Sequence, residues 1–148
     1  MKFLATALLS ACVSATDYLK VSGSTFTLRG NEVFLSGGNQ AWIDYGQDFG
    51  NGQAFSKRCD LQKYIKATAD AGGNSIRIWL FVEGQSIPQF SNSGYVTGTD
   101  GKNTLVNDLK VYLEYAAAHN VYITLCLWNG ALMREQNYQN LYYSSDKL

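Results

Sequence analysis

The chain has 148 residues, with twelve basic and twelve acidic side chains that leave it formally uncharged at neutral pH. That balance supplies no basic patch for nucleic acid and no basic amphipathic helix for a membrane surface, so the expected partner is neutral. Aromatic residues make up 14% of the chain, much of it Tyr and Trp, whose apolar faces and polar handles suit wet binding clefts.

The opening "MKFLATALLSACVSA", residues 1–15, reads as a secretory signal peptide. Lys2 is its basic start, residues 3–9 its apolar stretch, and Val13 and Ala15 the small residues before the cut. The apolar part is far shorter than the roughly 20 residues of a membrane span. Residues 16–148 are therefore expected to be secreted and extracellular, as one domain with a sizeable core. Cys12 leaves with the signal peptide. Cys59 and Cys126 remain in an oxidising setting, to pair with each other or with cysteines outside this chain. No Asn-x-Ser/Thr glycosylation site occurs.

Residues 25–35, "TFTLRGNEVFL", predict a hairpin around Gly30-Asn31. "VFLSGGNQAW" predicts a strand opening into the Gly-rich polar loop "DYGQDFGNGQAF". Ser56 is the expected N-cap of a helix in which Leu61, Tyr64, Ile65, Thr68 and Ala69 recur at helical spacing, stopped by Gly72-Gly73. Residues 74–82 form the next strand, followed by a long polar stretch over 83–102. A second helix starts near Thr104, capped by Asn103, with a stripe of Leu105, Leu109, Tyr112, Leu113 and Ala116 and a close at His119-Asn120. "VYITLCLW" is the third apolar strand; beyond Trp128 periodicity is lost, and Ser144 or Ser145 is placed as the N-cap of a further helix.

Apolar strands joined by helical crossovers belong to a parallel sheet covered by helices. The helix-to-strand joins are short, whereas the strand-to-helix joins run to about fifteen and twenty residues, the side on which α/β barrels build their active faces. One residue breaks the apolar pattern: Arg77 sits in the middle of "NSIRIWLFVEG". A guanidinium in a buried strand is costly without a partner, so Arg77 is expected to meet a carboxylate there, or to pair with an acid at the sheet end, or to reach solvent past Trp79.

Taken in order, "FLSGGNQAW", "NSIRIWLFVEG" and "VYITLCLWNGA" resemble the first three barrel strands of glycoside hydrolase family five, in particular the secreted endo-β-1,4-mannanases of the mollusc digestive type. The resemblance implies an α/β fold: a partial TIM (β/α)8 barrel, with three strands and two helices after an N-terminal β-hairpin. It also implies two catalytic glutamates, an acid/base in an Asn-Glu pair after the fourth strand and a nucleophile after the seventh. Here the one Asn-Glu pair is Asn31-Glu32 in the early hairpin, and a complete barrel takes roughly 250 residues. The expectation is the amino-terminal portion of a mannanase, without either catalytic glutamate. Its partner would be mannan or a manno-oligosaccharide, with no cofactor, and the full-length protein would be a monomer. The alternatives are a non-catalytic glycan-binding or interaction polypeptide, or a fragment of a related β-glucanase or cellulase. An open sheet edge and apolar inner faces would leave the isolated chain marginally folded and inactive on mannan.

Within the resemblance Arg77 matches the second-strand arginine that hydrogen-bonds the nucleophile and keeps it ionised. Trp42, Trp79 and Trp128 fall at or beyond strand ends, where indoles either pack on sugar faces or fill space between loops; Trp79 is assigned to the core first. Asn39, Gln40 and Asn129, at the mouths of the first and third strands, either bind sugar hydroxyls or cap loop backbone. Glu83 and Glu135 are read as solvated loop residues, since retaining chemistry needs two carboxyls about 5 Å apart across the sugar. His119 lies at a helix end on the opposite face of the barrel, Asp100-Gly101 is read as a turn, and no metal site is expected.

Overall fold

A computed structural model describes residues 18–84 and 86–131, with the side chains of 54–57 left aside. The expected signal peptide, Glu135 and the expected cap at Ser144 or Ser145 lie outside the described residues. The chain divides into two compact units, one ending at Phe34 and the other beginning at Leu35.

The first unit is an antiparallel meander of β1 (Lys20–Ser22), β2 (Thr25–Leu28) and β3 (Asn31–Val33). Leu28 pairs with Asn31, so the tight turn is Arg29-Gly30 and not Gly30-Asn31. Both turn residues have positive φ, 52° and 81°, the combination that matches the right-handed twist of a two-residue hairpin. β1 had no apolar signal in the sequence; its three residues are all exposed.

The second unit is built on a parallel sheet in the order β4 (Gly37–Asn39), β5 (Ser75–Val82), β8 (Tyr122–Trp128). Helix α1 (Ala54–Asp70) connects β4 to β5, and α2 (Leu105–Ala118) connects β5 to β8. The first strand forms on "GGN" rather than on the apolar "VFL" before it. Glycine is required at 37, because a Cβ there would lie 1.7 Å from the Ser75 carbonyl oxygen. Between β5 and α2, where the sequence suggested only irregular loop, β6 (Gln89–Phe90) and β7 (Val96–Gly98) pair as a small antiparallel ribbon. Among the described residues no helix is long and apolar enough to cross a membrane.

β5 decides which side of the sheet is dry. Ile76, Ile78, Leu80 and Val82 are buried, while Ser75, Arg77, Trp79 and Phe81 between them are only partly so. Successive strand side chains point to opposite faces, so the aliphatic set Ile76, Ile78 and Leu80 faces the helices and Arg77 and Trp79 face away; beyond Trp79 the register shifts, and Phe81 packs against the core cluster. Against the aliphatic set pack Leu61 and Ile65 of α1, Leu105, Tyr112 and Ala116 of α2, and Phe49 and Ile87 from the loops. The expectation of an apolar inner face is corrected here, because that face carries Arg77 and the partly exposed Cys126 alongside its aromatics. Two residues assigned to helix stripes sit at their margins instead: Tyr64 is 47% exposed and Leu113 41%. Among the described residues β4 and β8 each pair on one side only.

Both helix starts differ from the sequence reading. α1 begins at Ala54, two residues before Ser56, with Gln53 at the N-cap position. α2 begins at Leu105 with Thr104 at the N-cap; Asn103 precedes it in the left-handed region at φ 57°. The first-turn donors of α2 go to Asp100. Its carboxylate accepts from the N–H of Thr104 at 2.9 Å and of Leu105 at 3.1 Å, and reaches across to the N–H of Asn51 at 2.7 Å. Asp100 thus caps the helix from outside and ties it to the loop after β4. Two more buried carboxylates complete that loop: Asp108 accepts from Gly50 N–H at 3.0 Å, and Asp48 from the N–H groups of Ile43 and Asp44 at 2.7 and 2.9 Å.

Burial pushes the Asp100 carboxyl up, but the N–H donors of Thr104, Leu105 and Asn51 and the Thr99 hydroxyl outweigh it and hold the group well below the usual carboxylate range. A depressed folded value stabilises fully above the unfolded one, near pH 4, and the contribution is lost as the pH falls from there towards the folded value. Asp100→Ala is expected to lower unfolding free energy by about 1–2 kcal/mol in urea at pH 7, and to remove part of the loss of stability below pH 4. Unchanged stability and an unchanged acid limb would show that Asp100 does not staple the loop.

Candidate functional site

The register of the parallel sheet assembles a polar row on the face turned away from the helices. Asn39 of β4 pairs with Arg77 of β5, Arg77 pairs with Thr124 of β8, and one step on Trp79 pairs with Cys126. Paired residues in a sheet share a face, so these five side chains lie together. Arg77 Nη1 donates to Asn39 Oδ1 at 2.8 Å, and Nη2 donates to Cys126 Sγ at 3.0 Å. The guanidinium lies over the Trp79 ring, 4.9 Å from its centroid. Among the described residues its contacts are thus an amide, a thiol and an indole. Because Arg77 is partly exposed, it does not bear the full cost of a buried charge that its apolar neighbours suggested.

Beyond the strand ends two aromatic groups line the same region. Trp42, 39% exposed in the loop after β4, meets Tyr45 edge-on at 4.7 Å and Trp79 at 6.3 Å. Trp79 therefore belongs to the open face with Arg77, not to the helix-packed core. At the other end Trp128 tilts against Phe81 at 4.9 Å and Phe90 at 6.4 Å. Its ring also covers Gly84, where a Cβ would come within 3.0 Å of the indole.

No protein-family model matches the sequence. Over 134 residues the chain is 48% identical to a mannan endo-1,4-β-mannosidase of Cryptopygus antarcticus, covering 90% of this chain and 35% of that protein. It is 42% identical to the mannan endo-1,4-β-mannosidase of Mytilus edulis over 139 residues, 94% of this chain and 37% of that one. Among solved structures, the crystal structure of the β-1,4-D-mannanase of C. antarcticus superposes with a TM-score of 0.80 at 47% identity, covering 89% of this chain and 36% of the other. The endo-1,4-β-mannanase of Eisenia fetida gives a TM-score of 0.80 at 42% identity, covering 88% and 37%. Over nearly its whole length the chain is similar to β-1,4-mannanases. It spans about a third of the length of the curated relatives it matches. β4, β5 and β8 are accordingly strands of a partial (β/α)8 barrel.

In this barrel segment the carboxyl ends of the strands carry one junction that the sequence did not announce. The Tyr45 hydroxyl and, at 3.1 Å, the Asn129 amide both donate to Glu83 Oε1. One residue comes from the loop after each of the three parallel strands, so Glu83 ties the loops together and is not the solvated side chain expected. Asn129 is further engaged, since its Oδ1 accepts from Ala131 N–H at 3.1 Å. Of the three amides, Asn39 holds Arg77 and Asn129 holds the loops. Gln40, just past the end of β4, lines a groove of about 290 Å³ with Trp42, Tyr64, Thr68 and Ile76, its amide atoms buried without a hydrogen-bond partner. His119 is the C-cap residue of α2, with Nδ1 2.9 Å from the Tyr115 carbonyl oxygen, at the opposite end of the sheet. Among the described residues no three His, Cys, Asp or Glu side chains gather as a metal site would require.

Tyr45 was not singled out from the sequence, and Cys126 was weighed there only as a disulfide partner. Cys126 had a usable signal: it lies two residues before Trp128, in phase with Thr124 on a strand whose other face packs on α2. Tyr45 had none, since an irregular loop has no period.

Both Cys59 and Cys126 are free thiols, the first exposed and the second partly buried beside Arg77. Non-reducing peptide mapping after alkylation is expected to recover both as carboxamidomethyl peptides. A peptide joining residues 59 and 126 would contradict this arrangement.

Proposed function

We propose that this chain is the amino-terminal part of a secreted endo-β-1,4-mannanase, exported by residues 1–15, that cleaves internal mannosidic bonds with retention. The observation that carries the reading is Arg77, a cation held by Asn39 and Cys126 on the face of the sheet turned away from the helices, near the ends from which the long loops arise. A retaining glycosidase needs one carboxylate kept ionised as nucleophile and a second, about 5 Å away, protonated as acid. Arg77 fits the first need: a nearby guanidinium lowers a carboxyl's pKa, and its planar fork fixes the carboxylate's direction better than an ammonium would. Neither carboxylate is assigned to this chain. Glu83 is occupied by Tyr45 and Asn129, and Glu32 lies in the separate hairpin unit.

Around that centre, Trp42 and Trp128 offer apolar ring faces on which the C–H side of a pyranose can pack. Mannan rather than another β-1,4-glycan is supported by the names of the relatives. The complete protein is proposed to act as a monomer.

The test is activity of the full reading frame containing this chain. The wild-type protein is expected to depolymerise mannan and release products that retain the β configuration, followed by NMR. Arg77→Ala is expected to lower kcat by about 10²–10³-fold, the loss seen when one pre-organised electrostatic donor is removed. The 148-residue chain by itself is expected to hydrolyse no mannan. A full-length protein inactive on mannan, or one that inverts configuration, would overturn the reading.

A second reading, a non-catalytic glycan-binding polypeptide, is favoured by the partly exposed Trp42–Tyr45–Trp79 cluster. Titrating the chain with manno-oligosaccharides while following Trp fluorescence tests it, and no response at millimolar ligand removes it.

A further inference from the structure

Arg77 is gripped from both neighbouring strands, and the two grips are chemically unlike. Asn39 Oδ1 on β4 is an ordinary amide acceptor at 2.8 Å. Cys126 Sγ on β8, at 3.0 Å, is a thiol, among the weakest acceptors a side chain offers. Its placement is not that of a core cysteine. It pairs with Trp79 on the face turned away from both helices, only partly buried, and contributes nothing to the aliphatic layer. The Trp128 carbonyl oxygen lies 3.8 Å from Sγ, within reach of a weak S–H donor. With the thiol proton turned there, a sulfur lone pair is left for the guanidinium.

We propose that Cys126 is a positioning residue for Arg77: together with Asn39 it sets the plane of the guanidinium, and hence the direction in which the three remaining N–H donors are offered. A planar fork makes two parallel hydrogen bonds to a carboxylate only when that carboxylate lies in its plane. Without an acceptor on the β8 side the fork turns about the Asn39 contact over the Trp79 ring. One of the two parallel bonds is then lost, and the carboxyl opposite is left easier to protonate. This rests on the reading of Arg77 as the group that orients the nucleophile.

Three substitutions in the full reading frame test it. Cys126→Val fills the space with one extra methyl and removes the acceptor, Cys126→Ala removes both bulk and acceptor, and Cys126→Ser keeps a shorter acceptor. Val and Ala are expected to lower kcat on mannan by about ten- to a hundredfold through misplacement of the fork. KM should stay within about twofold, because substrate binding itself is untouched. The acid limb of the kcat/KM profile should move to higher pH in both, and Ser should recover part of the rate and of the shift. A space-filling role would move stability without moving the acid limb, and Val would then match wild type. Should Val fail to fold, the acid limbs of Ala and Ser decide the question. Wild-type kcat and pH profile in Val, or in Ala where Val does not fold, overturn the inference while leaving a mannanase in place. Absence of mannanase activity in the wild type overturns the functional reading and this inference with it.

Discussion

A central strand of a parallel sheet spends its backbone on both neighbours, so only the alternation of its side chains is left to separate a dry face from a wet one. β5 meets that constraint with Ile76, Ile78 and Leu80 towards the helices and Arg77 and Trp79 away from them. Burying these three against α1 and α2 fixes the register of the unit, since a slip of one residue would drive Arg77 into the helix layer. The position of the guanidinium thus follows from the core behind it. Its neighbours Asn39, Thr124 and Cys126 share its face through strand pairing, whatever their separation in sequence.

The loops above the sheet face a different difficulty. The segment after β4 is long, polar and glycine-rich, and such a segment is ordered only if its backbone donors find acceptors. Asp48, Asp100 and Asp108 provide them, each nearly excluded from solvent and each accepting backbone N–H groups. Two of these three lie at or in α2, so the second helix anchors the first loop. Trp42 and Tyr45 are held on that anchored segment, and Glu83 joins it to the loops after β5 and β8.

The two helices, the two long strands, the parallel sheet and the identity of Arg77 as the anomalous residue were legible in the chain, because period-two and period-3.6 patterns are local and these elements are long enough to display one. Short elements were not legible. β4 is three residues without an apolar signal and exists because glycine lets it approach β5; β6 and β7 rest on pairing with each other. Helix starts were misplaced for a related reason: Ser56 and Asn103 are good cap residues by type, but the first donors of α2 are met by Asp100, an acceptor four residues upstream of the cap.

At the site, the sequence by itself determined which residues stand at strand ends and that one cation lies among apolar neighbours, since both depend only on position along a strand. Tertiary structure alone decided that Asn39 and Cys126 are the groups holding that cation and that Glu83 is a junction between loops. Those contacts join residues 38 to 49 positions apart through lateral pairing of strands and docking of loops, and no periodicity within a single segment encodes which residue of a neighbouring strand will lie alongside.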